Sequence, residues 1–372
     1  MRITEIEGIM LRLPKVEPVG DGCQNILVIK IHTDEGITGI GEAHTNPLVN
    51  KAVLDAPLCS VSAEGLRSLL IGENPMQIGR LWDKMNKHTQ TYGRRGVVMH
   101  VISGIDLALW DILGKAANMP VHQLLGGARH EAFDVYASDL SQTTHEATLE
   151  RALRHKDNGY KAVKFGWGDL GDNPRKDVKN TARLREALGD DVDIMIDMGF
   201  AVPLEDAMFL GRAFADYGVY FLEEPLSPDD LDGFAKLTAS SPTPIATGEK
   251  ESTVYAYRDL MERGGLRIIQ PDIARVGGIS EAMRIAALAE ARGVRMIPHC
   301  WSTDILVSAT LQVIATLRDC PYLEYNVTDN PLRTDLLTSP LRPTNGRIDV
   351  PTGPGLGIEL NPDTVEKYRW EP

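Results

Sequence analysis

The chain has 372 residues, 43% hydrophobic and 24% charged, with a net charge of −13 at pH 7. That length exceeds one small core and points to two domains, and the balance of residue types is that of an ordinary globular protein. The acidic excess argues against binding nucleic acid or an anionic membrane, since both call for basic patches.

In chain order, residues 1–13 alternate as a strand, starting Met1-Arg2-Ile3-Thr4-Glu5-Ile6-Glu7, with no apolar stretch of the kind a signal peptide carries. Residues 25–42 read as two further strands turned at Thr33-Asp34-Glu35-Gly36. Gly20–Gln24 and His44–Asn50 read as polar loops. From about Ala63 to Lys115 the pattern is helical: Val98, Val101, Ile102, Ile105, Leu109 and Ile112 form the stripe of a packed helix. Leu124-Leu125-Gly126-Gly127 then supplies a glycine C-cap signal. No apolar run approaches the ~18 residues that a membrane span needs. Residues 1–125 are therefore expected to form an α+β domain. Cys23, Cys59, Cys300 and Cys320 contain no CxxC pair and read as reduced thiols in a cytoplasmic protein.

The middle of the chain keeps a beat. Apolar runs end in Asp197, Glu223 and Glu249, spaced by 26 residues and 26 again, and the next runs end at Asp272, His299 and Glu324. A strand, a return helix and two short loops need roughly 25–30 residues, so this is the period of a βα unit. Strands are expected near 132–137, 162–165, 193–197, 219–223, 245–248, 268–270, 294–298 and 322–324, enough to close a barrel over residues 126–326. Residues 327–372, rich in proline and glycine, are expected to return to the N-terminal domain.

Polar groups at the ends of successive parallel strands meet at one mouth of a barrel. Asp197, Glu223 and Glu249 would repel one another there unless a cation sat between them, and their oxygens suit a hard ion of the Mg²⁺ type. His299 shares that mouth with Asp272 on the neighbouring strand, a carboxylate placed to fix the ring tautomer and raise its basicity. Lys164 ends Lys161-Ala162-Val163-Lys164-Phe165. Alone it reads as a solvated amine, as Glu324 alone reads as an ion-pair partner. Glu224 should point away from Glu223 and form an ion pair.

With Gly36-Ile37-Thr38-Gly39-Ile40-Gly41-Glu42, Phe221-Leu222-Glu223-Glu224-Pro225, Gln270-Pro271-Asp272, Val276-Gly277-Gly278 and Ile297-Pro298-His299, these residues make the chain resemble the enolase superfamily, mandelate racemase subgroup. The resemblance covers nearly the whole chain. It implies an α/β fold: a modified (β/α)7β TIM-type barrel under an α+β capping domain. It also implies one Mg²⁺ per subunit on Asp197, Glu223 and Glu249, an Asp272–His299 dyad and a Glu324 that binds the substrate carboxylate. Relatives are commonly dimers or octamers, so a homo-oligomer is implied too.

The family's shared step removes a proton α to a carboxylate. Many relatives carry a second lysine two residues after the first on the second barrel strand, where this chain has Gly166. That weakens racemisation, which needs two opposed bases. Asp272 stands where muconate-type cycloisomerases have a lysine. One strong base, His299, remains, with Lys164 as a possible second. A single histidine can take the α-proton and return it to a departing β-hydroxide, so the expected enzyme is a hydro-lyase: a Mg²⁺-dependent dehydratase of an aldonate or aldarate, giving a 2-keto-3-deoxy acid. An epimerase, a lactone cycloisomerase and an inactive metal-binding barrel are the alternatives. Gly199, where relatives often have asparagine, leaves the small-molecule carboxylate itself open. His44, Asn46, Trp167 and Trp301 are the expected substrate contacts.

Overall fold

Alternation in the first 43 residues produces an antiparallel three-stranded sheet: β1 (Ile3–Arg12), β2 (Asn25–Thr33) and β3 (Thr38–Ala43). This is a computed structural model of the chain that describes residues 1–372 apart from Asp21, Ser62, Phe200 and Ala201. Asp21, in the expected 20–24 loop, therefore lies outside the described residues. Ile3, Ile6 and Met10 of β1 face a core completed by four helices, whereas Ile9 and Leu11 join the core shared with the barrel. These are α1 (Pro47–Asp55), α2 (Leu66–Leu70), α3 (Ile78–Thr89) and α4 (Val97–Ala117). Gly39 and Gly41 on β3 have no side chain because the carbonyls of Ala108 and Gly104 on α4 press against them, and any Cβ there would collide with helix backbone.

Two sequence expectations change here. His44–Asn50 is a loop only as far as Asn46. Asn46 Oδ1 of the side chain accepts from the Leu48 and Val49 N–H groups, and Pro47 opens α1, the usual chemistry of a helix start. Secondly, α4 is 21 residues long, and by length and composition apolar enough to cross a membrane, although most of it is buried inside the fold. Two acids interrupt the apolar run and tie α4 in place. Asp106 accepts from Ser280 Oγ at 2.6 Å and Ser280 N at 3.0 Å. Asp111 takes Lys115 Nζ at 2.6 Å, Ile40 N at 3.0 Å and Leu356 N at 2.8 Å.

After the short α5 (Val121–Leu124) the βα beat begins. It runs β4 (Ala132–Leu140), α6 (His145–Asp157), β5 (Ala162–Gly166), α7 (Pro174–Leu188), β6 (Asp193–Asp197), α8 (Leu204–Ala213), β7 (Val219–Glu223) and α9 (Leu231–Ser240). It continues with β8 (Ile245–Thr247), α10 (Thr253–Glu262), β9 (Ile268–Ile269), α11 (Gly278–Arg292), β10 (Arg295–Met296), α12 (Asp304–Ile314) and β11 (Tyr322–Asn326). Among the described residues, eight parallel strands alternate with seven helices, the (β/α)7β order. The ladder runs from β10 in descending order to β4 and then to β11; among the described residues no strand pairing joins β10 to β11.

The barrel interior is a plug of side chains: Tyr136, Ala162, Met195, Phe221, Ala246, Ile268 and Ile297. Two alanines among five larger side chains let the ring fill the narrow lumen of an eight-stranded barrel. Because strand side chains repeat every two residues, this plug fixes what stands above it. Two residues on from Tyr136, Ala162, Met195, Phe221 and Ile297 come Ser138, Lys164, Asp197, Glu223 and His299.

The tail takes two paths. After α13 (Pro331–Thr334), β12 (Arg347–Asp349) pairs antiparallel with the N-terminal part of β4, at the end opposite the mouth. Only afterwards does the chain return to the capping sheet. Gly355 bridges Pro120, and beyond α14 (Pro362–Tyr368) Trp370 N donates to Met10 O at 2.8 Å.

Candidate active site

The mouth of the barrel gathers the acids marked by the beat. Ligand oxygens of Asp197, Glu223 and Glu249 lie within 4.8 Å of one another, all three residues buried. Glu223 divides its carboxylate: Oε2 takes Lys164 Nζ at 2.8 Å, whereas Oε1 is buried and, among the described residues, has no hydrogen-bond partner. Such an orphaned anionic oxygen costs heavily unless a cation meets it. Burial and mutual repulsion push Glu223 and Asp197 above the ordinary carboxylate range despite the Lys164 ammonium. Three convergent carboxylate oxygens, one of them partnerless, fit a hard divalent cation.

Lys164 is 3% exposed and lies among acids: Glu223 Oε2 and Glu324 Oε1 each at 2.8 Å and Asp197 Oδ2 at 3.7 Å. Burial works against its charge, but Glu223 and Glu324 overcome that and raise its pKa well above the usual lysine value. The group is an ammonium at neutral pH. Glu324 is equally committed, with Oε1 also accepting Ser138 Oγ at 2.7 Å and Oε2 accepting Cys300 N at 2.7 Å.

The histidine pairing forms as its strand positions suggest. His299 Nδ1 is 2.8 Å from Asp272 Oδ2, and Nε2 is 3.3 Å from Glu249 Oε2, so the ring spans from its orienting carboxylate to the acidic trio. Burial lowers its proton affinity, yet Glu249, Glu324 and Asp272 together lift it to about 9. A divalent ion on Glu249 would cancel much of that attraction and free the ring to act as a base.

Gly166 pairs with Asp197 across the β5–β6 ladder, and a Cβ on it would stand 2.8 Å from Asp197 Cβ and 2.9 Å from Asp197 O. No side chain fits there without displacing Asp197. Gly199 has φ +66° and donates its N–H to Asp197 Oδ1 at 2.8 Å, while the Trp167 ring lies against both Gly199 and Gly20. Glu224 does form an ion pair, with Lys250, from a left-handed backbone (φ +45°) that turns it off the line of β7. Asn46 is held at the surface by its cap on α1. Trp301 is buried at the start of the segment leading to α12.

Arg275 is one residue that sequence reasoning missed. It lies in the connection between β9 and α11, three residues beyond Asp272, where no periodicity marks it. Its Nε reaches Asp272 Oδ2 at 3.2 Å and His44 Nδ1 at 2.9 Å, and its Nη1 reaches Glu249 Oε1 at 3.2 Å. One guanidinium thus joins the dyad, the acidic trio and the capping segment. Glu42 was missed as well: fully buried on β3, it accepts from the Thr303 hydroxyl at the N-cap of α12.

Two family models match this chain. One, enolase C-terminal domain-like, covers residues 147–364, and the other, the mandelate racemase / muconate lactonizing enzyme N-terminal domain, covers residues 11–126. The D-galactarolactone cycloisomerase of Agrobacterium fabrum is 34% identical over 356 residues, 92% of this chain and 91% of that protein. The arabinonate dehydratase of Saccharolobus solfataricus is 32% identical over 346 residues, 92% of this chain and 90% of that one. Among solved structures, the 3,6-anhydro-D-galactonate cycloisomerase from Zobellia galactanivorans superposes with a TM-score of 0.90 at 34% identity, covering 100% of both chains.

Proposed function

The chain belongs to the mandelate racemase subgroup of the enolase superfamily and is an enzyme, and from that premise we propose that it is a dehydratase of an acid-sugar carboxylate. The observation that carries this reading is the one-sided base: an Asp272–His299 pair at 2.8 Å on one face and a glycine with no room for a side chain at 166.

Mg²⁺ held by Asp197, Glu223 and Glu249 would engage the substrate carboxylate and stabilise the negative charge that deprotonation creates there. Asp272 keeps His299 with its proton on Nδ1, leaving Nε2 to accept the α-proton. As the β-carbon–oxygen bond breaks, its electron pair leaves with the oxygen, and His299 returns the proton, so that hydroxide departs as water. The resulting enol becomes a 2-keto-3-deoxy acid. Lys164, held as ammonium between Glu223 and Glu324, offsets charge and takes no proton itself. We assign residues 1–125, with the end of the tail that returns to them after β12, to covering the mouth and excluding water; β12 itself sits at the opposite end of the barrel.

A second reading shares the first half of this chemistry. If the β-oxygen belongs to a ring, its expulsion opens the ring and the product is an isomer of the substrate; the names of the two 34%-identical cycloisomerases favour it. Mass spectrometry of products from a panel of acid sugars and their lactones separates the two, since dehydration removes one water and ring opening removes nothing. If neither product forms from any panel member while both epimers at the α-carbon do, both readings are refuted.

A further inference from the structure

Histidine 44 is 3% exposed, comes from the end of β3 in the capping segment, and reaches the barrel dyad. Its Nδ1 lies 2.9 Å from Arg275 Nε and 3.9 Å from Asp272 Oδ2, the same oxygen that holds His299. An arginine can only donate, so Nδ1 must be the acceptor and the ring proton must sit on Nε2. That Nε2 is buried and, among the described residues, has no hydrogen-bond partner. A buried N–H with no acceptor is costly to leave unmet. The two imidazoles thus flank one carboxylate oxygen, one ring serving as the base and the other carrying a fixed, unused donor.

We infer that His44 is a positioning donor for the reaction: its Nε2–H bonds an uncharged oxygen of the substrate on the face that His299 attacks, and holds the β-oxygen in line to leave. This rests on the elimination chemistry proposed above. The donor stays neutral throughout, because Arg275 occupies Nδ1; it orients the leaving oxygen, and the proton that departs with that oxygen comes from His299.

The test compares wild type with His44→Phe and His44→Gln, the latter keeping an N–H near the position of Nε2. Each full-length, Mg²⁺-loaded enzyme is given a substrate it turns over, in deuterated water, and both product and deuterium at the α-carbon of recovered substrate are measured. His44→Phe should form product about tenfold more slowly while α-proton exchange persists, because the base is intact and only expulsion is impaired. His44→Gln should recover most of the rate. Equal losses of exchange and product in His44→Phe, no change in either, or a glutamine variant as slow as phenylalanine would each overturn the inference. A wild type that forms no elimination or ring-opening product from any acid sugar would instead refute the reading beneath it.

Discussion

Replacing Gly166 with alanine tests whether the missing second base reflects the backbone itself. The new methyl would stand 2.8, 2.9 and 3.1 Å from Cβ, O and Cγ of Asp197, two of them nearer than Cβ atoms approach other groups. The β5–β6 ladder fixes Gly166 opposite Asp197, so relief must come from moving Asp197, a member of the acidic trio. Overpacking of this kind costs about 1–3 kcal/mol. If about 2 kcal/mol of it falls on the metal-binding geometry, Mg²⁺ affinity drops roughly 30-fold. Isothermal titration with Mg²⁺ should show that loss, and turnover at saturating Mg²⁺ should still be reduced, since small displacements of a catalytic group are costly. A Gly166→Ala protein that binds Mg²⁺ and turns over like wild type would refute the reasoning. So would a Gly166→Lys protein that exchanges the α-proton from both faces, for it would mean that a second base needs only its side chain.

Glu223→Gln should abolish Mg²⁺ binding and turnover, read by titration and product assay, with the circular-dichroism spectrum unchanged. His299→Asn should eliminate both product and α-proton exchange; retained exchange would make Lys164 a working base. Lys164→Met leaves Glu223 and Glu324 without their shared cation and should lower the unfolding free energy of the metal-free protein by about 3–5 kcal/mol in denaturant titrations, less with Mg²⁺ bound. Glu42, buried and raised to about 8 from a carboxyl near 4.5, holds its proton when folded but loses it when unfolded between those values, so stability falls as pH rises through that window. Glu42→Gln should flatten that slope; equal slopes in the two proteins would count against a protonated Glu42.

The sequence read best where periodicity forces geometry. Asp197, Glu223 and His299 were legible because each stands two residues above an inward plug residue on a parallel strand, a relation that local alternation already contains. Arg275 was not, since its role depends on three partners from β8, β9 and the capping segment that meet only in three dimensions. The helix beginning at Pro47 was within reach, its Asn-Pro start being a helix signal that the polar composition of the stretch obscured. The early lodging of the tail on β4 left no mark, because β12 is three residues long and its partner is chosen by tertiary packing.

The gap in the ladder between β10 and β11 gives Glu324 a second significance. Where a strand pair would place amide-to-carbonyl bonds, the Cys300 amide donates to this side chain, whose other oxygen holds Lys164 and Ser138. The stave joint of the barrel is therefore fastened by the same carboxylate that sets the charge at its mouth. Any widening of that joint would loosen Lys164 at once, and a variant tuned at Glu324 for a different substrate would also relax the wall. Amide hydrogen exchange at Cys300, fast in Glu324→Gln and slow in the parent, would measure how tightly the two duties are bound together.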